Sequence, residues 1–255
     1  MNSRLVSTLI FLIVSVIFHG KINAQSISIA AAADLRYAMD DVVKAYKQVY
    51  PSADIKVNYG SSGTAFQQIL NGAPYDIFFS ADILYPQKLK EQGLTVTEPK
   101  LYAIGYIVVW SNVVDVAAGM NSLLDSKVSK VAIANPEHAP YGKRAEESMK
   151  YYKIYDQVKS RLIFGDNISQ AAQFVQTGNA EIGILALSLA CSPALKDKGK
   201  YVIIDDKSHS PLAQAYVILK QAKNKKEANS FTEFVATPTA RTIFKSYGFK
   251  LPNEK

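Results

Sequence analysis

Cysteine is almost absent from this chain of 255 residues, where Cys191 stands alone. One thiol cannot close an intramolecular disulfide, so stability must come from a packed core whatever the redox compartment. Within Leu187-Ser-Leu-Ala-Cys-Ser192 that thiol reads as a small buried hydrophobe. Histidine is nearly as scarce, with His19, His138 and His209. None stands at metal-ligand spacing from a second ligand, so no direct ligand of a metal cation is expected, and no cofactor. Long apolar runs are missing too. The stretch from Leu5 to Phe18 is shorter than the roughly 20 residues that span a bilayer. There is no Gly-x-Gly-x-x-Gly turn for a dinucleotide and no Gly-Lys-Ser/Thr phosphate loop. Asp40-Asp41 and Asp205-Asp206 read as solvated faces or caps, not as an acid/base pair. The net charge is +7, but the lysines are scattered, as in Lys88-Leu-Lys90 and Lys223 to Lys226. Nucleic acid wants a dense basic patch interleaved with aromatics, and is not an expected partner.

What is present starts with a leader pattern. A short basic start, Met1-Asn-Ser-Arg4, precedes the apolar run, and Ile22-Asn-Ala24 ends it on a small residue. This resembles a cleaved secretory signal peptide over residues 1–24 and implies a periplasmic protein. Those residues include Arg4 and Lys21 and no acid, so the remainder carries about +5 by the same charge count. A mildly positive surface draws anions from solution. The remainder is longer than one comfortable core, which suggests two lobes.

Hydrophobic periodicity gives strands alternating with helices almost throughout. Ser26 to Ala32 is a buried strand. Leu35, Met39, Val42, Val43, Tyr46 and Val49 then fall on one helical face, stopped by Pro51. Ile55 to Tyr59 alternates as a strand, and Ala65 to Leu70 is a short helix. Tyr75 to Ala81, Ile104 to Trp110, Lys130 to Ala134, Arg161 to Phe164, Glu181 to Leu187, Tyr201 to Ile204 and Ala213 to Leu219 read as further strands. Helices follow at Leu84 to Gln92, Gly142 to Tyr152, after an Asp166-Asn167 cap, at Ala228 to Val235 and at Thr239 to Tyr247. The fold class is α/β, with mainly parallel sheets flanked by helices. No soft linker separates two lobes, so the chain is expected to cross between them, near Ala103–Ile107 and near Ser210–Ala213. The expected division is lobe 1 over 25–105, lobe 2 over 106–210, and a return to lobe 1 over 211–255.

Two strand-to-helix junctions carry the chemistry: Ala31-Ala-Ala-Asp-Leu35 and Asn58-Tyr-Gly-Ser-Ser-Gly-Thr-Ala65. A helix start presents unpaired N–H groups and a partial positive charge, which suits an anion. In Gly60-Ser-Ser-Gly63 the glycines let backbone approach a ligand and the serines donate. An ordinary capped turn would look the same. A serine-hydrolase elbow would need Gly-x-Ser-x-Gly, and Thr64 stands where its last glycine belongs.

Six motifs in order resemble the periplasmic molybdate-binding proteins of bacterial ABC importers. They are Ala31-Ala-Ala-Asp-Leu35 with Ala38-Met39, Gly60-Ser-Ser-Gly-Thr64, Gly72-Ala-Pro-Tyr-Asp-Ile-Phe-Phe-Ser-Ala-Asp82, Ala134-Asn-Pro-Glu-His-Ala-Pro-Tyr-Gly142, Gly178-Asn-Ala-Glu-Ile-Gly-Ile184 and Ile243-Phe-Lys-Ser-Tyr-Gly-Phe249. The resemblance implies a two-lobe periplasmic-binding fold of type II and no catalysis. It also implies molybdate or tungstate as ligand, a membrane permease as partner, and a monomer. It places the anion contacts at Asp34 through its backbone, at Ser62 with Ser61 beside it, at Tyr141, at Ile168 through its backbone, and at Ala186. Two positions depart from the family pattern, which has a small hydroxyl at Asp34 and, in many members, a tyrosine at Ala186. A carboxylate facing a dianion repels it, so Asp34 is expected to turn its side chain away and cap the first helix. The Tyr141 phenol is expected to reach the anion in place of the missing tyrosine. A site made only of donors would reject a protonated anion such as hydrogen phosphate. Another oxyanion or a small carboxylate, a signalling sensor, and a hydrolase acting through Ser61 or Ser62 remain as alternatives.

Overall fold

The structure is a computed structural model that describes residues 26–252. The expected leader, residues 1–24, lies outside the described residues.

Among the described residues, ten strands divide between two five-stranded sheets. The first contains β1 (Ile27–Ala32), β2 (Ile55–Gly60), β3 (Ile77–Ser80), β4 (Lys100–Gly105) and β10 (Leu212–Ile218), in the order β2-β1-β3-β10-β4. The second contains β5 (Ile107–Ser111), β6 (Val131–Ala134), β7 (Leu162–Gly165), β8 (Ile182–Ala186) and β9 (Lys200–Ile203), in the order β7-β6-β8-β5-β9. Both sheets are mixed. β1 pairs in parallel with β2 and β3, as β6 does with β7 and β8. The antiparallel pairs all involve β10 or β5, the strands that enter one sheet from the other. Strands such as β3 and β5 are buried along their whole length, which is why they read as unbroken apolar runs and not as alternating ones.

The helices are α1 (Arg36–Val49), α2 (Ser62–Leu70), α3 (Leu84–Glu91), α4 (Pro140–Tyr151), α5 (Tyr155–Val158), α6 (Ile168–Gln176), α7 (Leu187–Ala190), α8 (Lys226–Val235) and α9 (Pro238–Ser246). α1 buries Met39, Val42 and Tyr46 in a core shared with Ile29, Phe79, Phe231 and Phe244, so the two closing helices complete the first lobe. Trp110, Val131, Met149 and Leu189 belong to the core of the second. α4 starts at Pro140, two residues before the position its sequence suggests. A proline at the first helical position gives up only an N–H that has no helical partner there.

The run Ile104–Trp110, expected as one strand, is two strands in different sheets. It breaks between Gly105 and Ile107, at the first of the two crossings. Gly105 packs against the Tyr141 phenol and the Gln214 amide so closely that a Cβ there would collide with both. Tyr106 then accepts at its carbonyl from Leu187 N–H at 2.9 Å, which redirects the chain. The second crossing follows β9 and precedes β10. The two lobes meet along the C-terminal ends of their parallel strands, where open α/β sheets form their binding crevices.

Candidate functional site

At this meeting line lies a small, partly open cavity. It is lined by the turn at Asp34, by Ser61 and Ser62, by Pro140 and Tyr141, and by Ile168. Three helices therefore aim their starts at one point: α2 from the first lobe, α4 and α6 from the second.

Each start is built so that some N–H groups are used locally and others are not. At α2 the Ser61 hydroxyl accepts from Thr64 N–H at 3.1 Å, and Gly63 N–H reaches the His138 carbonyl of the opposite lobe at 2.9 Å. The Ser62 N–H takes no part in either bond. At α6 the Asn167 side chain accepts from Ser169 and Gln170 N–H at 3.0 and 3.1 Å, and the Ile168 N–H takes no part. At α4 the cap residue Ala139 offers no side chain, so the Tyr141 backbone is left to the cavity. The result is a set of neutral donors and three helix starts that converge on one cavity, a site suited to one small anion.

The serines divide their work. Ser62 Oγ accepts from Ala81 N–H at 2.9 Å, which leaves its own proton for a ligand. Ser61 Oγ is already engaged by Thr64 and by His138 Nδ1 at 2.9 Å. His138 is thus a bridge between lobes.

Asp34 does not behave as expected. Its side chain caps no helix: neither the turn it lies in nor α1 has a side-chain cap. It is buried instead, with Oδ2 accepting from Tyr141 Oη at 2.9 Å and from Gln214 Nε2 at 2.6 Å. Gln214 in turn accepts from Tyr102 Oη at 2.6 Å. Oδ1 has no partner. Burial raises the Asp34 pKa to about 6, against the opposing pull of the Gln214 and Tyr141 bonds and of the Asp34 and Leu35 backbone N–H groups. Burial also pushes the phenols of Tyr141 and Tyr102 well above their ordinary range, and the Asp34 charge adds to it. The Tyr141 phenol is therefore held by Asp34 and is not a free donor in place of the missing tyrosine. Ala186 ends β8 in register with Ile107 and is not among the residues that line the cavity.

Sequence reasoning missed the groups that tie the lobes together. Arg144 of α4 meets Asp82, just beyond β3, at 2.7 Å with both side chains buried. Ser169 donates to the Ala33 carbonyl at 2.9 Å, and Ser188 to the Asp34 carbonyl at 2.8 Å. Gln214 was visible as a lone amide in the apolar run Ala213–Leu219, where a buried polar group must find a partner. Arg144 was visible as a cation on the face of α4 that also carries Ala145 and Met149. Neither signal names its partner.

Two lobes, two chain crossings and a cleft that ends several helix starts on one cavity define a two-lobe periplasmic binding protein of type II architecture. The model for bacterial extracellular solute-binding proteins matches residues 27–250, and the chain belongs to that family. It is 32% identical to the molybdate-binding protein ModA of Azotobacter vinelandii over 90% of this chain and 91% of that protein. It is 34% identical to ModA of Rhodobacter capsulatus over 75% of each. The solved periplasmic molybdate-binding protein of Azotobacter vinelandii superposes with a TM-score of 0.83 at 30% identity, covering 89% of this chain and 99% of that one.

Proposed function

We propose that this protein is the substrate-binding component of a molybdate ABC importer. It captures molybdate, and tungstate with it, between its lobes and delivers the anion to a membrane permease. One observation carries this reading: helix starts from both lobes converge on one small cavity, in a chain similar along its length to proteins named for molybdate binding. The anion contacts are the N–H groups at Asp34, Tyr141 and Ile168 and the Ser62 hydroxyl, with Ser61 holding the α2 start in place. Lobe 1 comprises 25–105 and 211–255, and lobe 2 comprises 106–210. The protein works as a monomer in the periplasm after removal of residues 1–24. It needs no cofactor and does not bind nucleic acid.

Catalysis is not part of this reading. The sequence offers no obvious base for Ser61, yet His138 lies at hydrogen-bond distance from it. Two features still weigh against a hydrolase. The Ser61 hydroxyl already serves as a helix cap, and the cavity leaves little space for an ester or amide beside it.

The test is a thermal-shift series with molybdate, tungstate, sulfate, phosphate and small carboxylates. A ligand at 100 times its Kd adds about 2.7 kcal/mol of stability, so molybdate and tungstate should raise Tm by several degrees. If molybdate and tungstate leave Tm unchanged while another anion raises it, that anion is the ligand.

A further inference from the structure

Asp34 is the group at the cavity that a site of neutral donors leaves unexplained. One carboxyl oxygen accepts two hydrogen bonds, and the other accepts none although the residue is buried. Asp34 and Tyr141 both line the cavity. Oδ2 is occupied by Tyr141 and Gln214, which leaves Oδ1, with the Asp34 and Leu35 N–H groups beside the carboxyl, as the oxygen a ligand could engage. A bare carboxylate in that place repels a dianion. A proton between the two oxygens converts the repulsion into a short, charge-assisted hydrogen bond.

We propose that the site takes up its oxyanion together with one proton, shared between Asp34 Oδ1 and a ligand oxygen. This rests on the oxyanion reading of the same cavity. The proton comes from solvent: carboxylate, dianion and one H⁺ enter the complex, and no bond within the anion breaks. The closed site then carries two negative charges instead of three. The groups packed around Asp34 favour this. Tyr141 from α4 and Tyr102 from β4 are neutral phenols, and Gln214 from β10 and Ser188 from α7 carry no charge. Arg144, one turn along α4, is engaged by Asp82 and Glu147. The His138 ring contacts Ser61 and not Asp34. No cation is among the groups that shift the Asp34 carboxyl, so a proton is the available neutraliser.

The experiment is calorimetric titration of the purified protein with sodium molybdate, tungstate, sulfate and phosphate. It is run between pH 5.5 and 8.5 in buffers of different ionisation enthalpy. With the free carboxyl at about 6, binding at pH 8 should take up close to one proton per molybdate. Affinity should fall towards tenfold per pH unit above that value. Asp34→Asn should abolish the uptake and flatten the pH profile, and His138→Gln should leave both as in the parent. Tyr141→Phe removes one bond to the carboxylate and should move the fall in affinity to higher pH, which tests the idea even if Asp34→Asn does not fold. Molybdate binding without proton uptake and with a flat profile overturns the proposal and leaves the molybdate reading standing. Uptake that survives in Asp34→Asn and vanishes in His138→Gln also overturns it. If molybdate fails and another of these anions binds with Asp34-dependent uptake, the proposal holds and the molybdate reading falls. If none binds at any pH, both fall.

Discussion

Adjacent serines at the α2 start have different tasks, and substitution should separate them. Ser62 keeps its proton for the ligand while accepting from Ala81 N–H. A hydrogen bond to a charged partner contributes about 1.5–3 kcal/mol, so Ser62→Ala should lose about 10- to 100-fold in molybdate affinity by calorimetry. It also strands the buried Ala81 N–H, and unfolding stability should fall by about 1–3 kcal/mol. Ser61→Ala removes a cap, worth about 1 kcal/mol, and should lose less affinity than Ser62→Ala. The reverse order would exchange the two roles. Asp34 carries a separate stability prediction in the absence of ligand. Its carboxyl is raised from 3.8 to about 6 on folding, so the folded protein holds this proton more tightly than the unfolded chain. Stability is therefore lost as pH rises from about 4 to about 6, and the loss stays constant above that. Two pKa units correspond to about 3 kcal/mol. Asp34→Asn should be the more stable protein at pH 7–8 in denaturant melts, and its advantage should shrink towards zero near pH 4.

Elements were legible where local chemistry decides them and less so where a distant contact does. Periodicity located β1 and α1, and Asn167 marked the start of α6 because an Asx cap is a local event. Gly248, with φ +80°, stops the last helix as its sequence suggests. The crossing near Ala103–Ile107 was legible, but not that it would split the apolar run Ile104–Trp110 into β4 and β5. Nothing inside Ile104–Trp110 announces that Gly105 must admit the Tyr141 phenol and Gln214 amide from elsewhere. The site divides the same way. The helix starts could be found from Gly60-Ser-Ser-Gly63 and from Asp166-Asn167, but the fate of the Asp34 side chain depends on Gln214, 180 residues away. The α6 start gives an element-scale prediction. Asn167→Ala removes the one amide oxygen that accepts from two N–H groups and should cost about 1 kcal/mol. Because Ile168 N–H sits in the same turn, molybdate affinity should drop with it. A stability loss with unchanged affinity would show that the α6 start lies outside the binding contacts.

At the scale of the whole molecule, the lobes are held together by contacts with very different sensitivities to water. Gly63 N–H to the His138 carbonyl and Ser169 to the Ala33 carbonyl are neutral bonds that solvent can replace when the lobes part. The Arg144–Asp82 pair is not of that kind, because both charges are buried only while the lobes are joined. Removing one partner of a buried pair costs about 3–5 kcal/mol when the other charge stays buried. Here the stranded charge has an escape, since parting the lobes returns Asp82 to water. Arg144→Met should therefore penalise the joined form more than the fold itself. The measurement is small-angle scattering across a molybdate titration. The parent protein should contract at low ligand concentration, whereas Arg144→Met should need at least tenfold more ligand to reach the same radius, with a smaller change in its ligand-free Tm. Adding Asp82→Asn removes the stranded charge while leaving a side-chain oxygen to accept from Leu84 N–H, the bond that steadies the start of α3. The double variant should recover most of the lost affinity. If Arg144→Met contracts at the parent's ligand concentration, the pair does not govern closure, and the neutral bonds across the cleft carry it instead.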